Sequence, residues 1–360
     1  MLCALTLSFV LTGLGQNTDK VPVKTTFPLG TSTLIESKAL APSAKKTSPK
    51  FGWEFSHCAI VSKMEDDLST SDRFRVFSQS IEHPVARPDT VARMLCRLYD
   101  FNMTVLRLEH NSLFGGRVVD VYLCNEGTPG GEQMFGVDSG TTDVYGRPMK
   151  VNTIYLYDVD TLDNPLEACR ETAHEYGHAT LPPVKVPKGR EEWANGHLGE
   201  RIYLSWLRRA IKQGDLETSD AMGATLADLD VYWNSKVKPL VLRAAKNGID
   251  PRSFQAGGEK AFDAYLALAL YASTILPEEA FRRSLLLNDV ETPMGYFKAV
   301  TEVCNERPSI SIQVPNLGIP EIWIPVGSGQ VTGAKVLSKS NGWAKVRPLG
   351  KVSIVNKTKL

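Results

Sequence analysis

His174-Glu175-Tyr176-Gly177-His178 is the stretch on which the reading of this chain turns. It has the form HExxH, two histidines four residues apart with a glutamate directly after the first. On an α-helix, residues i and i+4 lie on one face about one turn apart. Two imidazoles so placed can grip one divalent cation such as zinc, and the glutamate can act on a water held by that ion. The chemistry therefore requires a helix. Asp163 to Thr180 predicts one, because Leu166, Cys169, Ala173, Tyr176 and Thr180 recur at steps of three and four. Asp163 or Asn164 can cap its start, with Pro165 in the first turn. Leu181-Pro182-Pro183 ends it, since a residue before proline is pushed out of the α region.

Working outward, the flanks divide by pattern. Residues 51–180 form an N-terminal α/β part that includes the HExxH helix. Strands are expected at Phe55–Lys63, Arg117–Cys124 and Asn152–Val159, and a helix at Pro88–Phe101. Gly127 to Gly146 is expected to be loop or irregular hairpin. Residues 181–307 read as a helical subdomain, beginning with a proline-bearing loop and a helix at Glu191–Ala210. Residues 308–360 alternate apolar and polar positions between Pro and Gly, and read as a small β module. The fold class expected is α+β.

At the other end, Leu2 to Gly15 is almost wholly apolar, with small residues at Gly13 and Gly15 before Gln16. Residues 1–15 therefore read as a signal peptide, and the chain as secreted or otherwise exported, periplasmic or extracellular. Residues 16–50, rich in Lys, Thr, Ser and Pro, read as a linker. With 41 basic against 40 acidic residues and no basic stripe with interleaved aromatics, composition argues against a nucleic-acid partner. No segment is apolar and long enough to predict a stable membrane span. The cysteines contain no CxxC pair, which argues against a cysteine metal site, and export permits up to two disulfides among the five that follow Cys3.

A catalytic zinc usually takes three protein ligands and keeps one position for water. The residues after His178 include neither the glycine nor the third histidine of an HExxHxxGxxH pattern. Over residues 150–210 the chain instead resembles the gluzincin branch of the zincin metallopeptidases. That resemblance rests on His174-Glu175-Tyr176-Gly177-His178 and on Gly199-Glu200-Arg201-Ile202-Tyr203 in a second predicted helix. It implies a zincin-like domain, a small mixed sheet plus active-site helix, with His174, His178 and Glu200 as ligands of Zn2+ and Glu175 as general base. His197, Glu191 and Glu192 remain competitors for the third position. The Asn-Glu pair common in that branch is absent, for Gly199 precedes Glu200 and Asn195 lies five residues before it. Gly196 and Gly199 would let the two helices approach closely. The resemblance further implies that a strand before the metal helix, here Asn152–Val159, pairs with an extended substrate. Tyr203 is a candidate transition-state contact.

The function expected is an exported zinc-dependent peptidase acting on a peptide or protein substrate. The competing expectation is a catalytically inactive zincin-like binding or scaffold protein, acting through the C-terminal β module.

Overall fold

The computed structural model describes residues 18–23, 33–40, 46–65, 69–80, 82–108, 118–142, 146–255, 257–287 and 291–356. The expected signal peptide lies outside them. In chain order, the first strands are β1 (Thr18–Val23), β2 (Thr33–Ala39), the short pair β3 (Lys46–Thr47) and β4 (Glu54–Phe55), β5 (His57–Glu65) and β6 (Ser69–Ser78). Helix α1 (Pro88–Phe101) follows, then β7 (Val119–Leu123), β8 (Gly130–Thr142), β9 (Pro148–Tyr157) and helix α2 (Pro165–Thr180), which carries HExxH.

Seven of these strands form one mixed sheet in the order β1-β2-β5-β6-β7-β9-β8. The β6-β7 and β7-β9 pairs are parallel and the others antiparallel. Side chains alternate across a strand, and the sequence uses both faces. Val119, Val121 and Leu123 of β7, with Ile154 and Leu156 of β9, join the main core with α1 and α2. Tyr122 and Tyr155 point the other way, into an aromatic layer with Phe55 and Phe77. β7 is buried along its whole length, as a central parallel strand covered on both faces should be.

Three expectations change here. Part of the expected linker, residues 18–23 and 33–39, is strand paired onto the sheet edge, because its residues extend the β5 ladder through backbone bonds that need no apolar periodicity. The glycine-rich stretch expected to be loop or irregular hairpin contains a 13-residue strand, β8, with register shifts between Met134/Val137 and Asp138/Thr142. The strand expected to meet substrate, Asn152–Val159, is interior, with β7 on one side and β8 on the other. β8 is the edge strand beside α2.

The helical part comprises α3 (Asn195–Gln213), α4 (Leu226–Tyr232), α5 (Lys238–Asn247), α6 (Gly258–Ile275), α7 (Glu278–Leu286) and α8 (Pro293–Glu302). π-helical turns occur at Asn102–Leu106 and Trp233–Val237. The C-terminal module is antiparallel: β13 (Trp343–Val355) pairs with β10 (Ser309–Ile312), β11 (Ile322–Pro325) and β12 (Gln330–Ser340). Ile310, Ile324, Val346 and Ile354 of this module are buried in the same apolar core as the helices. The described cysteines are all free and buried. No helix among the described residues is long and apolar enough to cross a membrane.

Helices α2 and α3 meet at two glycines. A Cβ on Gly177 would stand 2.8 Å from the Asn195 carbonyl oxygen and 2.9 Å from Gly199 Cα, and a Cβ on Gly199 would overlap Gly177 Cα. The obstacle is backbone, which cannot rotate away. Gly199→Ala is therefore expected to lower folding stability by about 1–3 kcal/mol, the usual cost of overpacking. Urea denaturation measures it, and an unchanged midpoint would mean that the helices separate freely.

Candidate metal centre

Asn164 caps α2, its Oδ1 accepting from the backbone N–H of Leu166 (2.9 Å) and Glu167 (3.4 Å), with Pro165 at the first position. One turn apart on this helix, His174 and His178 bring their Nε2 atoms to 3.2 Å. The other ring nitrogens fix which atoms carry protons. Asn195 donates its side-chain N–H to the carbonyls of His178 and Leu181, so its Oδ1 faces His178 Nδ1, at 3.0 Å, and accepts from it. Glu200 Oε2 lies 3.5 Å from His174 Nδ1 and plays the same part there. Both Nδ1 atoms act as donors, and both Nε2 lone pairs converge on one point.

The third group at that point is Glu191. Its Oε1 lies 3.1 Å from His174 Nε2 and its Oε2 3.6 Å from His178 Nε2. Three groups able to ligate a metal thus meet at one point, and Glu191 Oε2 is buried without a hydrogen-bond partner. For zinc–nitrogen bonds of about 2.0–2.1 Å, neighbouring ligands of a tetrahedral ion stand roughly 3.3 Å apart. The donor set fits such an ion in chemistry and in spacing. The electrostatics agree: burial works against a charged His174, yet Glu191 and Glu200 raise its pKa to about 10, so the position attracts positive charge. Burial alone would raise Glu191, but the neighbouring His174 and His178 bring it well below the usual carboxylate range.

Glu200, expected as third ligand, sits on the far side of His174, facing Nδ1. Its Oε1 accepts from Arg170 Nε and from the Tyr232 hydroxyl, each at 2.8 Å. Gly196 explains the arrangement. It lies one turn before Glu200 on α3, and a Cβ there would overlap His178 Nε2 and stand 2.6 Å from His174 Nε2. The helix position aimed at the two imidazoles has no side chain, and a carboxylate from the preceding loop fills the space. The expected helix at Glu191–Ala210 begins only at Asn195, because Val186 N–H bonds to Glu192 O and Ala194 N–H to Val184 O, folding residues 184–194 into a tight loop. Of the other competitors, Glu192 pairs with Lys185 at 2.6 Å. His197 Nε2 stands 3.4 Å from Glu191 Oε1, while its Nδ1 faces Arg201 at 3.1 Å. Tyr203 lies away from the cleft: its hydroxyl is buried between Thr180 Oγ1 (2.6 Å) and the Asn102 amide (3.0 Å).

Glu175 lies between α2 and the edge strand. Its Oε2 is buried with no hydrogen-bond partner, and burial pushes its pKa up to about 8. Gly131 of β8 packs on it so closely that a Cβ there would come within 2.7 Å of its Cδ and Oε1. The two histidines, Glu175 and Glu191 line a cleft of about 600 Å³ whose walls include Gly131, Gln133 and Phe135 of β8 and Trp193 of the loop. The Gln133 Nε2 is buried and unpartnered, while Phe135 and Trp193 are each 39% exposed. No protein-family model matches the chain, and no curated protein is significantly similar to it.

Proposed function

We propose that the protein is a zinc-dependent peptidase. The observation that carries this reading is the convergence of His174 Nε2, His178 Nε2 and the Glu191 carboxylate, in one cleft with the unpartnered Glu175 oxygen. His174, His178 and Glu191 hold the ion in this reading, and Glu200 and Asn195 orient the imidazoles from behind. Zinc, when bound there, supplies a Lewis acid for the scissile carbonyl and a water of lowered pKa. Glu175 takes a proton on its free oxygen and passes it to the leaving amine. Packing under Gly131 shields that carboxylate from bulk water. The β8 edge offers main-chain pairing to an extended peptide, with the Gln133 amide as an additional donor. Phe135 and Trp193 favour apolar substrate side chains. Export rests on the apolar Leu2–Gly15 stretch alone.

The test is metal removal and return on the full chain. Elemental mass spectrometry should find about one zinc per chain. Chelation should abolish cleavage of a mixed quenched-peptide pool, and zinc should restore it. A chain that takes up no metal from a zinc-containing buffer would sink the proposal. Metal uptake without cleavage of any peptide would favour the scaffold reading.

A further inference from the structure

A second cavity, of about 300 Å³, lies away from the metal centre. On α3, Ile202, Ser205 and Arg209 reach it from a face roughly opposite Glu200 around the helix axis. Its walls are apolar: Phe101, Leu106, Trp233, Leu270 and Phe281 contribute. Both π-helical turns among the described residues border it, Val105 and Leu106 from one, Trp233 and Val237 from the other. Such one-residue expansions of a helix recur at functional sites.

The polar groups are few and specific. Arg208 is engaged by Asp230, and its guanidinium covers the Trp233 ring. The hydroxyls of Ser205, Ser273 and Thr274 donate to helix carbonyls, which leaves their lone pairs free to accept. Arg209 and Glu278 also line the cavity, and neither makes a hydrogen bond or ion pair with a described residue. Glu278 acts on Arg209 electrostatically, so the two charges share one field without forming an ion pair. One cation and one anion lining an apolar chamber without pairing to each other match a zwitterion with an apolar tail.

We propose that this cavity binds a free α-amino acid with a large apolar side chain. The carboxylate pairs with Arg209, the ammonium with Glu278 and the accepting hydroxyls, and the side chain fills the chamber between α3 and α6. A volume near the lower end of ligand pockets suits one leucine- or phenylalanine-sized ligand. The site makes no use of the metal centre and stands independently of the peptidase reading.

Isothermal titration of the full chain with L-leucine and L-phenylalanine tests it, against glycine, which lacks the side chain, and N-acetyl-leucinamide, which lacks both charges. Saturable binding of the first two is expected, with both controls at least roughly tenfold weaker. Arg209→Gln and Glu278→Gln, both at exposed positions, should each weaken binding by a factor of roughly ten to a hundred. Three results would overturn the proposal: no saturable heat up to about 10 mM ligand, equal binding of the uncharged analogue, or binding that survives both substitutions.

Discussion

Glu175→Gln is expected to retain its zinc and to lose peptide hydrolysis by a factor of roughly 10²–10⁴, the usual contribution of a positioned general base. The structure makes this a clean substitution. The side chain holds no ligand position, its Oε2 has no partner to lose, and glutamine occupies the same space against Gly131. A drop in metal content together with activity would mean that Glu175 supports the site instead of acting in it. Full activity with full metal would remove Glu175 from the chemistry altogether.

The second large effect separates two carboxylates that the sequence leaves in competition. Glu191→Ala is expected to strip the metal, because it removes one of three converging donors. Glu200→Gln should keep the metal with an affinity weakened roughly 10- to 100-fold, the range for groups that orient a ligand from behind. Competition with a chromophoric chelator gives both constants. Metal lost from Glu200→Gln and kept in Glu191→Ala would reverse the assignment and require Glu200 to leave Arg170 and Tyr232. His197, 3.4 Å from Glu191, is the residue to examine if neither substitution lowers affinity.

What was legible in the sequence followed from local rules. The HExxH helix and its cap, the helix at Pro88–Phe101 and the close-approach glycines of α3 are all set by spacing, proline and steric size. Glu191 was harder to read. Its proposed role depends on a loop whose backbone pairs Val186 with Glu192 and Val184 with Ala194, contacts between residues that helical periodicity does not weigh. The signal was nevertheless present at Gly196. A helix residue on the same face as Glu200, in reach of both imidazoles and lacking a side chain, calls for a donor from elsewhere. The edge strand β8 was hidden because glycines at 130, 131 and 136 mask strand propensity, while pairing with β9 decides the matter. The strands at residues 18–23 and 33–39 are likewise products of neighbours, not of their own composition.

The loop that carries Glu191 has one more consequence. Prolines 182, 183 and 187 lie in the segment between α2 and α3 that contains it, each fixing one backbone angle before any ion arrives. A ligand on a floppy loop would have to surrender chain entropy each time the metal binds. Here much of that loss has already occurred during folding, and the carboxylate waits at high effective concentration beside the two imidazoles. Metal capture at the proposed centre should therefore resemble the filling of a rigid socket, quick to close and slow to leak.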